Sequence, residues 1–213
     1  MTRVYFLRHG QSIGNLEHRF LGHTDLDITP LGYTQAELVK EFFKNINIDV
    51  IYSSDLMRAY NTVKPTADLK GLPIIKDKNM REIFAGDWEH QKVSDLWENF
   101  GDTFSVWKTD IGNAVCPNGE TVAELQKRIL CEVNKIVSEN KGKDILIATH
   151  ATPIRVMLCH IKGIPLKNAK DIPWVTNASV TAVDFMEDGT YFLRTEGFDA
   201  YLGNNTSALS TRI

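Results

Sequence analysis

The chain has 213 residues, a mass of 24.1 kDa, a formal net charge of -3 and a pI near 6.1, so it carries no overall basic field for holding a nucleic-acid backbone. No apolar run reaches the length of a membrane-spanning helix, and the apolar stretch after Arg3 is too short for the core of a signal peptide. The three cysteines are odd in number and widely spaced, which argues against a disulfide framework. We therefore expect a cytoplasmic protein with neither nucleic-acid nor membrane partners.

The first predicted strand is the apolar run at residues 4–7, which ends on Arg8, His9 and Gly10. A buried strand of this kind carries a guanidinium and an imidazole to the rim of a sheet, where glycine allows the chain to turn sharply. Small polar residues follow as far as Asn15, and the backbone amides of a loop that leaves a strand can converge on an anion. The stretch therefore predicts a phosphate-binding loop.

Residues 11–28 are predicted to form a long loop, because glycine and aspartate interrupt every period. A loop of this length between two regular elements is typical of segments that line a site. The helix that follows is predicted from about Pro30 to Asn45, with Thr29 as its N-cap and the proline at its first position.

A second buried strand is predicted at residues 49–53, followed by a helix for which residues 53–55 supply the cap. Arg58 falls in the first turn of that helix, where a cation lies at the unfavourable end of the helix dipole. We therefore expect Arg58 to face a nearby anion or to point into water.

A short third strand is predicted at residues 73–75, and Glu82 lies in the segment after it. Residues 87–120 contain three tryptophans and several glycines, and we interpret them as an insertion with one short helix near residues 94–100. The tryptophans either form the wall of a pocket or pack in a core or lid. Residues 121–139 form the clearest predicted helix, with apolar residues at helical spacing.

Residues 144–149 are apolar on both faces and end on His150, which is typical of a strand in the middle of a parallel sheet. Residues 152–153 are predicted to cap the next helix. Residues 180–185 and 191–195 flank an Asp-Gly pair and predict a hairpin.

This order of elements predicts a single α/β domain over residues 1–213, a three-layer sandwich whose mostly parallel sheet has an antiparallel hairpin at one edge. The insertion at about 87–120 is expected to cover the site. In sheets of this kind, sites lie beyond the carboxyl ends of the strands. Because two predicted strands end in histidine, we expect His9 and His150 to stand on the same rim.

Two arginines, two histidines and a glutamate can converge at that rim. The guanidinium forks of Arg8 and Arg58 suit a phosphoryl group, because each binds two phosphate oxygens at once. Unprotonated His9 can attack phosphorus and form a phosphohistidine, while His150 donates to oxygens on which charge develops. Glu82 can give a proton to the leaving group and later take one from water. Because cationic side chains supply the charge, we expect neither a metal ion nor a cofactor.

Several short motifs around these residues occur in the order typical of a known family. The motifs are Arg8-His9-Gly10-x-Ser12 with Asn15, Gly22-x-x-Asp25, Ser54-Asp55-Leu56-x-Arg58-Ala59, Arg81-Glu82, Pro117-x-Gly119-Glu120 and Thr149-His150. From Val4 to about Ile161, the chain resembles the histidine phosphatase superfamily, the phosphoglycerate mutase-like proteins.

The resemblance implies that His9 is the phosphorylated nucleophile, that Glu82 is the proton donor, and that the sheet has six strands. It also implies a phosphate pocket, formed by Arg8, Arg58 and His150 with Asn15 nearby. Three more residues are candidates for substrate contact: Gly22 and His23 in the loop motif, and Ala151 after the last motif. His23 is equally well interpreted as an exposed loop residue.

The chain departs from the family pattern at two positions. Leu21 stands where the family usually has glutamine or threonine, which removes a polar group from the substrate side. Ala151 stands where the family usually has glycine. Because alanine disfavours positive φ, either the turn at Ala151 keeps a negative φ or the pocket is reshaped.

The leading hypothesis is metal-independent hydrolysis of a small phosphate ester. An alternative is a cofactor-dependent phosphoglycerate mutase, although no arginine occurs between Arg81 and Arg128 to hold a phosphoglycerate carboxylate. A third hypothesis is a phosphate-binding protein without activity, but such a protein would usually lack one of the histidines or the acid. The expected partner is therefore a small-molecule phosphate ester, and the sequence predicts no oligomeric state.

Overall fold

The computed structural model describes residues 1–207 and confirms the predicted α/β architecture. The strands are, in chain order, β1 (Thr2–Arg8), β2 (Val50–Ser53), β3 (Ile74–Lys76), β4 (Asp144–Thr149), β5 (Val180–Phe185) and β6 (Tyr191–Phe198). In space they follow the order β3-β2-β4-β1-β5-β6. The first four are parallel, and β5 runs antiparallel to both β1 and β6. The hairpin therefore forms one edge of a six-stranded sheet, as predicted.

Helices cover both faces of this sheet. The α-helices in the described part of the chain are α1 (Ile13–Leu16), α2 (Pro30–Phe43), α3 (Met57–Lys70), α4 (Val93–Thr109), α5 (Val122–Glu139) and α6 (Ala151–Ile161). None of the helices within residues 1–207 combines the length and apolar character needed to cross a membrane.

Alternating side chains of the central strands build two apolar cores. In β1, Val4 and Phe6 join the larger core, which α4, α5 and α6 cover, whereas Tyr5 and Leu7 join the smaller core under α2 and α3. Successive side chains of a strand point to opposite faces, so a central strand between two helical layers is apolar throughout. The two cores fix the three layers of the sandwich.

The N-cap predicted for α2 is present, and α5 begins with a capping box for which no prediction was made. The Thr29 hydroxyl accepts a hydrogen bond from the amide of Gly32, with Pro30 at the first position of α2. At α5, Thr121 and Glu124 form a reciprocal capping box. Both helices begin where the sequence predicts, although α2 ends at Phe43, two residues before Asn45.

The predicted short helix near residues 94–100 is wrong in length. The helix α4 extends over 17 residues from Val93 to Thr109, with a local break at Phe100 (φ -132°, ψ 27°). Gly101 follows the predicted end, but Phe104 and Trp107 beyond it are buried in the larger core. Burial of these aromatic rings outweighs the helix-breaking tendency of one glycine, which is only about 1 kcal/mol.

The first residues of the predicted loop 11–28 form the short helix α1. The Ser12 hydroxyl accepts from the amide of Asn15, and Asn15 Oδ1 accepts from the amide of Ser12, so the two residues form a capping box. Sequence patterns reveal a helix through apolar residues that recur over several turns. The helix α1 is a single turn held by local hydrogen bonds, so it shows no such pattern.

The caps predicted for the other two helices are also corrected. The N-cap of α3 is Leu56, and the carboxylate of Asp25, in the loop 11–28, accepts from the amide of Met57 at 2.7 Å. The helix α6 begins at Ala151 with His150 as its N-cap, whereas the predicted N-cap was Thr152, two residues later. The N-cap side chains of both helices make no capping hydrogen bond. Carboxylates distant in sequence accept from their first turns instead: Asp25 from Met57 at α3, and Glu82 from Thr152 at α6.

Candidate active site

The carboxyl ends of β1 and β4 bring two histidines together. The strands are parallel neighbours, with Arg8 opposite Thr149, so the residues that follow them meet at the same rim. The ring centroids of His9 and His150 are 5.2 Å apart. Both side chains are buried. The structure therefore places the two imidazoles on one rim, as the sequence predicts.

The orientation of the His9 ring is fixed by the turn that follows β1. Its Nδ1 lies 2.7 Å from the carbonyl oxygen of Gly10, and because a carbonyl only accepts hydrogen bonds, Nδ1 must carry the proton. The remaining nitrogen, Nε2, then has its lone pair free in the neutral ring. The residue is therefore arranged as a nucleophile through Nε2.

A side chain from a distant segment supports this turn. The amide nitrogen of Asn177 donates to the carbonyl oxygens of His9 and Gly10, at 3.0 and 3.3 Å, and to Asn15 Oδ1 at 3.1 Å. The oxygen of Asn177 accepts from the hydroxyl of Ser207. Asn177 is thus a positioning residue for the nucleophile turn, and sequence reasoning missed both it and Ser207.

Two buried guanidiniums flank His9. Arg8 donates from Nη1 to the carbonyl oxygen of Val175, and within residues 1–207 its buried Nε has no hydrogen-bond acceptor. Burial lowers the pKa of both Arg8 and Arg58 to about 10, so both remain protonated at neutral pH. An unpartnered donor on a buried cation is costly unless an anion binds it.

The side chain of Arg58 is held by three uncharged acceptors. It donates to the carbonyl oxygens of Gly22 and Thr24, at 2.7 and 2.8 Å, and from Nε to Nδ1 of His150 at 3.2 Å. The alternative that Arg58 points into water is wrong, because the side chain is 1% exposed. The carboxylates of Glu82, Asp25 and Glu89 lie close enough to act on its charge, but its direct contacts are uncharged. The carbonyl dipoles hold the cation without neutralising its charge.

His150 lies behind His9 rather than on the cavity surface. Its Nδ1 accepts from Arg58, so the proton is on Nε2, which lies 2.9 Å from the Ser54 hydroxyl. The imidazole is fully buried. The arrangement gives His150 one donor group, Nε2–H, with Ser54 as its acceptor in this structure.

The electrostatic environment keeps both imidazoles neutral. Burial, followed by the positive charges of Arg58 and Arg8, lowers the pKa of His9 well below 6.5. Burial and then Arg58 lower the pKa of His150 in the same direction. A nucleophilic histidine must be unprotonated, so the guanidiniums that attract an anion also maintain the reactive form of His9.

Glu82 faces the same cavity from the segment after β3. Its carboxylate accepts from its neighbour Ile83 at 2.9 Å and from the amide of Thr152, in the first turn of α6, at 3.2 Å. Two side chains bind the Glu82 carbonyl oxygen: His23 through Nε2 at 3.0 Å and Arg128 through Nη2 at 3.1 Å. The main chain of Glu82 is therefore anchored, while the carboxylate reaches the cavity.

Asn15 and the three further candidates for substrate contact have different positions. Asn15, Gly22 and Ala151 line the cavity, whereas His23 supports Glu82 and is not part of the lining. Asn15 Oδ1 accepts from three protein donors, so only its Nδ2 is available to a ligand. Ala151 lies in the first turn of α6 and keeps a negative φ. Of the two possibilities, a negative φ or a reshaped pocket, the structure shows the first.

The cavity has a volume of about 880 Å³, its open mouth included. Beside the residues already described, it is lined by Gln11, Ser12, Arg19, Phe20, Leu21, Trp107, Thr152, Trp174, Asn177 and Ser207. Trp107 belongs to the segment 87–120, so that segment contributes to the wall. Nothing in the sequence marks Trp174, Asn177 or Ser207, because these residues reach the site only through the return of the chain beside β1.

The described residues offer no metal centre. Within residues 1–207, no group of three or more histidine, cysteine, aspartate or glutamate side chains is arranged to hold a metal ion. The positive charge at the site comes from Arg8 and Arg58 instead. The arrangement thus provides a neutral imidazole, two guanidiniums and a carboxylate for the binding and transfer of a phosphoryl group.

Known proteins show the same fold and sequence pattern. The profile of the histidine phosphatase superfamily (branch 1) matches residues 4–196. Among solved structures, Bacillus stearothermophilus YhfR superimposes with a TM-score of 0.91 at 27% identity, covering 95% of this chain and 100% of that chain. These findings confirm the resemblance: the chain belongs to the histidine phosphatase superfamily.

Curated relatives divide between two enzyme types. A Hydrogenobacter thermophilus protein with the provisional name phosphoserine phosphatase 2 is 32% identical over 183 residues, covering 86% of this chain and 89% of the relative. A Yersinia pestis protein with the provisional name phosphoglycerate mutase GpmB is 29% identical over 191 residues, covering 88% of this chain and 86% of the relative. The chain is therefore an enzyme of this superfamily, either a phosphatase or a mutase.

The lowered pKa values of His9 and His150 predict that both rings stay neutral in the free enzyme as the pH falls through 6.5. Long-range ¹H–¹⁵N spectra of the imidazole rings measure this directly, with His9→Gln and His150→Gln variants for assignment. N-acetylhistidine methylamide in the same buffer gives the reference titration. Protonation of either buried ring at or above pH 6.5 would contradict the electrostatic description of the site.

Proposed function

We propose that the protein is a metal-independent phosphomonoesterase that hydrolyses a small phosphorylated compound through a phosphohistidine on His9. The observation that carries this proposal is the state of His9: a neutral ring whose Nδ1–H is bound by Gly10 and whose Nε2 is free beside two buried guanidiniums. Such a site binds an anionic phosphoryl group next to an unprotonated nucleophile.

In the first step, the Nε2 lone pair of His9 forms a bond to phosphorus while the ester P–O bond breaks. The departing alkoxide takes a proton from the Glu82 carboxyl group, which faces the same cavity. Arg8 and Arg58 bind the phosphoryl oxygens throughout the transfer. His150 is buried behind His9, so its Nε2–H must turn from Ser54 toward the cavity to donate to one of those oxygens. The alcohol then leaves, and the phosphoryl group remains on His9.

In the second step, a water molecule attacks phosphorus and the P–N bond breaks. The Glu82 carboxylate, deprotonated in the first step, accepts a proton from this water. Inorganic phosphate leaves, His9 Nε2 recovers its lone pair, and Glu82 is again protonated. The cycle consumes one water molecule and one ester, and it needs no redox partner or metal ion.

The mutase alternative is favoured by one relative's name, but the cavity supports it poorly. A mutase must hold the carboxylate of phosphoglycerate while the phosphoryl group moves, which requires a cation outside the phosphate pocket. Among the described lining residues only Arg19 is such a cation, and it is engaged by Glu17 and by the carbonyl oxygen of His90. Within the described residues the cavity is open to solvent, which gives water access to the phosphohistidine.

The intermediate predicts that an acid-labile phosphoryl group appears on His9 after brief exposure to substrate, also in excess EDTA. Mass spectrometry of peptides kept at alkaline pH locates the label. His9→Ala is expected to abolish both labelling and phosphate release, because it removes the nucleophile. Label on His150, residual turnover in His9→Ala, or activity that requires added Mg²⁺ or Zn²⁺ would each contradict the mechanism.

Replacement of Glu82 by glutamine is expected to slow hydrolysis of alkyl phosphates by about 10²- to 10⁴-fold, because a poor leaving group needs a proton as the ester bond breaks. Hydrolysis of p-nitrophenyl phosphate should fall far less, since nitrophenolate leaves without a proton. The matched control is Glu89→Gln. The Glu89 carboxylate accepts from the main-chain amides of His23, Thr24 and Ala85, so its loss should affect stability and both substrates alike. Equal losses on both substrates in Glu82→Gln would assign Glu82 a positioning role instead.

The phosphatase proposal predicts that phosphate release from 3-phosphoglycerate exceeds its conversion to 2-phosphoglycerate, even with 2,3-bisphosphoglycerate present. Phosphorus NMR of a single reaction measures the two rates together. The physical reason is that, among the described lining residues, no cation outside the phosphate pocket is free to retain the glycerate while water approaches. Interconversion that greatly outruns phosphate release would establish the mutase.

A further inference from the structure

Beyond the phosphate pocket, the cavity has an aromatic and apolar wall. We propose that this wall binds the leaving group of the substrate, and that this group is an uncharged alcohol bearing an aromatic ring. The wall consists of Phe20, Leu21, Trp107 and Trp174. The inference rests on the proposed function for the chemistry, and it adds the class of ester on which the site acts.

The lining of the cavity extends beyond the residues that a phosphoryl group would contact. A phosphoryl group alone would contact Arg8, His9 and Arg58 and leave the aromatic wall uncovered. Apolar surface that is rigid and uncovered favours an apolar ligand.

The inner part of the wall is packed so that it keeps its shape. Trp107 is 3% exposed, and its ring meets Phe20 edge to face at a centroid distance of 5.0 Å. The side chain of Leu21 occupies the space over Gly14, where even a Cβ would lie 2.4 Å from it. Packing therefore fixes the Leu21 side chain at the position where the family pattern usually has a polar residue.

The outer part of the wall is held by a buried cation. The guanidinium of Arg155 lies 4.0 Å from the centroid of the Trp174 ring, and it is fixed by the carbonyl oxygens of Ala169 and Lys170. The rings of Trp107 and Trp174 are stacked, with centroids 6.4 Å apart and planes at 25°. A platform whose rotamers are already fixed loses little entropy when a ring binds to it.

The charges around the cavity disfavour a zwitterionic leaving group such as serine. Apart from His9, the ionisable side chains among its described lining residues are Arg8, Arg19, Arg58 and Glu82. Three of these four groups are cationic, and the single carboxylate is the proposed proton donor. An ammonium group would therefore be repelled by the guanidiniums and would have no carboxylate to bind except Glu82.

The first test compares esters whose leaving alcohols need the same proton from Glu82. We expect kcat/KM for 2-phenylethyl phosphate to exceed that for propyl phosphate by about tenfold or more, as burial of a phenyl ring implies. Phosphoserine should be a poorer substrate than propyl phosphate. Because all three are alkyl esters, a difference in leaving-group basicity between aryl and alkyl phosphates does not enter the comparison.

Variants then locate the effect on the wall. Leu21→Gln and Trp174→Leu are each expected to lower the ratio of kcat/KM for 2-phenylethyl phosphate to that for propyl phosphate by several-fold. The matched control is Trp97→Leu, because Trp97 lies on the same helix as Trp107 but is 37% exposed and is not part of the cavity lining. The control should leave the ratio unchanged.

A binding measurement separates this inference from the proposed function. Calorimetric titration compares 3-phenylpropylphosphonate with butylphosphonate and with 2-amino-4-phosphonobutyrate, the stable phosphonate analogue of phosphoserine. Tighter binding of the phenyl compound, weakened in Leu21→Gln, supports the aromatic subsite even for an enzyme that releases no phosphate. Equal binding of the three, or preference for the amino-acid analogue, overturns the subsite even when His9 is phosphorylated and phosphate is released.

Discussion

Two buried guanidiniums impose the constraint on which the site depends. The acceptors that residues 1–207 provide for Arg8 and Arg58 are main-chain carbonyls and one imidazole, and all of them are uncharged. Carbonyl dipoles offset part of the cost of removing a cation from water, whereas a carboxylate would also cancel its charge. The positive field therefore persists at the site. It maintains the neutral, nucleophilic form of His9, and it attracts the phosphoryl group to the place where that nucleophile lies.

The order of the strands supplies the residues that hold Arg8, His9 and Arg58 in place. The strand β1 lies between β4 and β5, so the turn after it has neighbours on both sides. On one side, the end of β4 supplies His150, which orients Arg58. On the other side, the segment before β5 supplies Val175 for Arg8 and Asn177 for the turn at His9. A position at the sheet edge would have offered only one of these supports.

The reactive groups were predictable from the sequence, because arginine and histidine side chains at the ends of apolar strands indicate a phosphate site. Arg8 and His9 end an apolar run, and His150 ends another, so parallel pairing of the two strands is enough to bring them together. The supporting groups were not predictable in this way. Asn177 and Trp174 have no pattern that links them to residues about 170 positions earlier, and the extent of α4 depends on the burial of Trp107, which only the tertiary structure shows. The fold class followed from the alternation of elements, but the exact caps did not, since Asp25 caps α3 from another segment.

The loop after α1 has no sequence periodicity, but it positions two groups of the site. Its carbonyl groups at Gly22 and Thr24 hold Arg58, and the ring of His23 between them binds the carbonyl oxygen of Glu82. The carboxylate of Glu89 in turn binds the amides of His23 and Thr24. The loop thus connects the phosphate pocket to the proton donor through main-chain groups that every residue type possesses. Sequence motifs identify the side chains that perform the chemistry, whereas the distance between acid and nucleophile is set by a backbone path that only the structure defines.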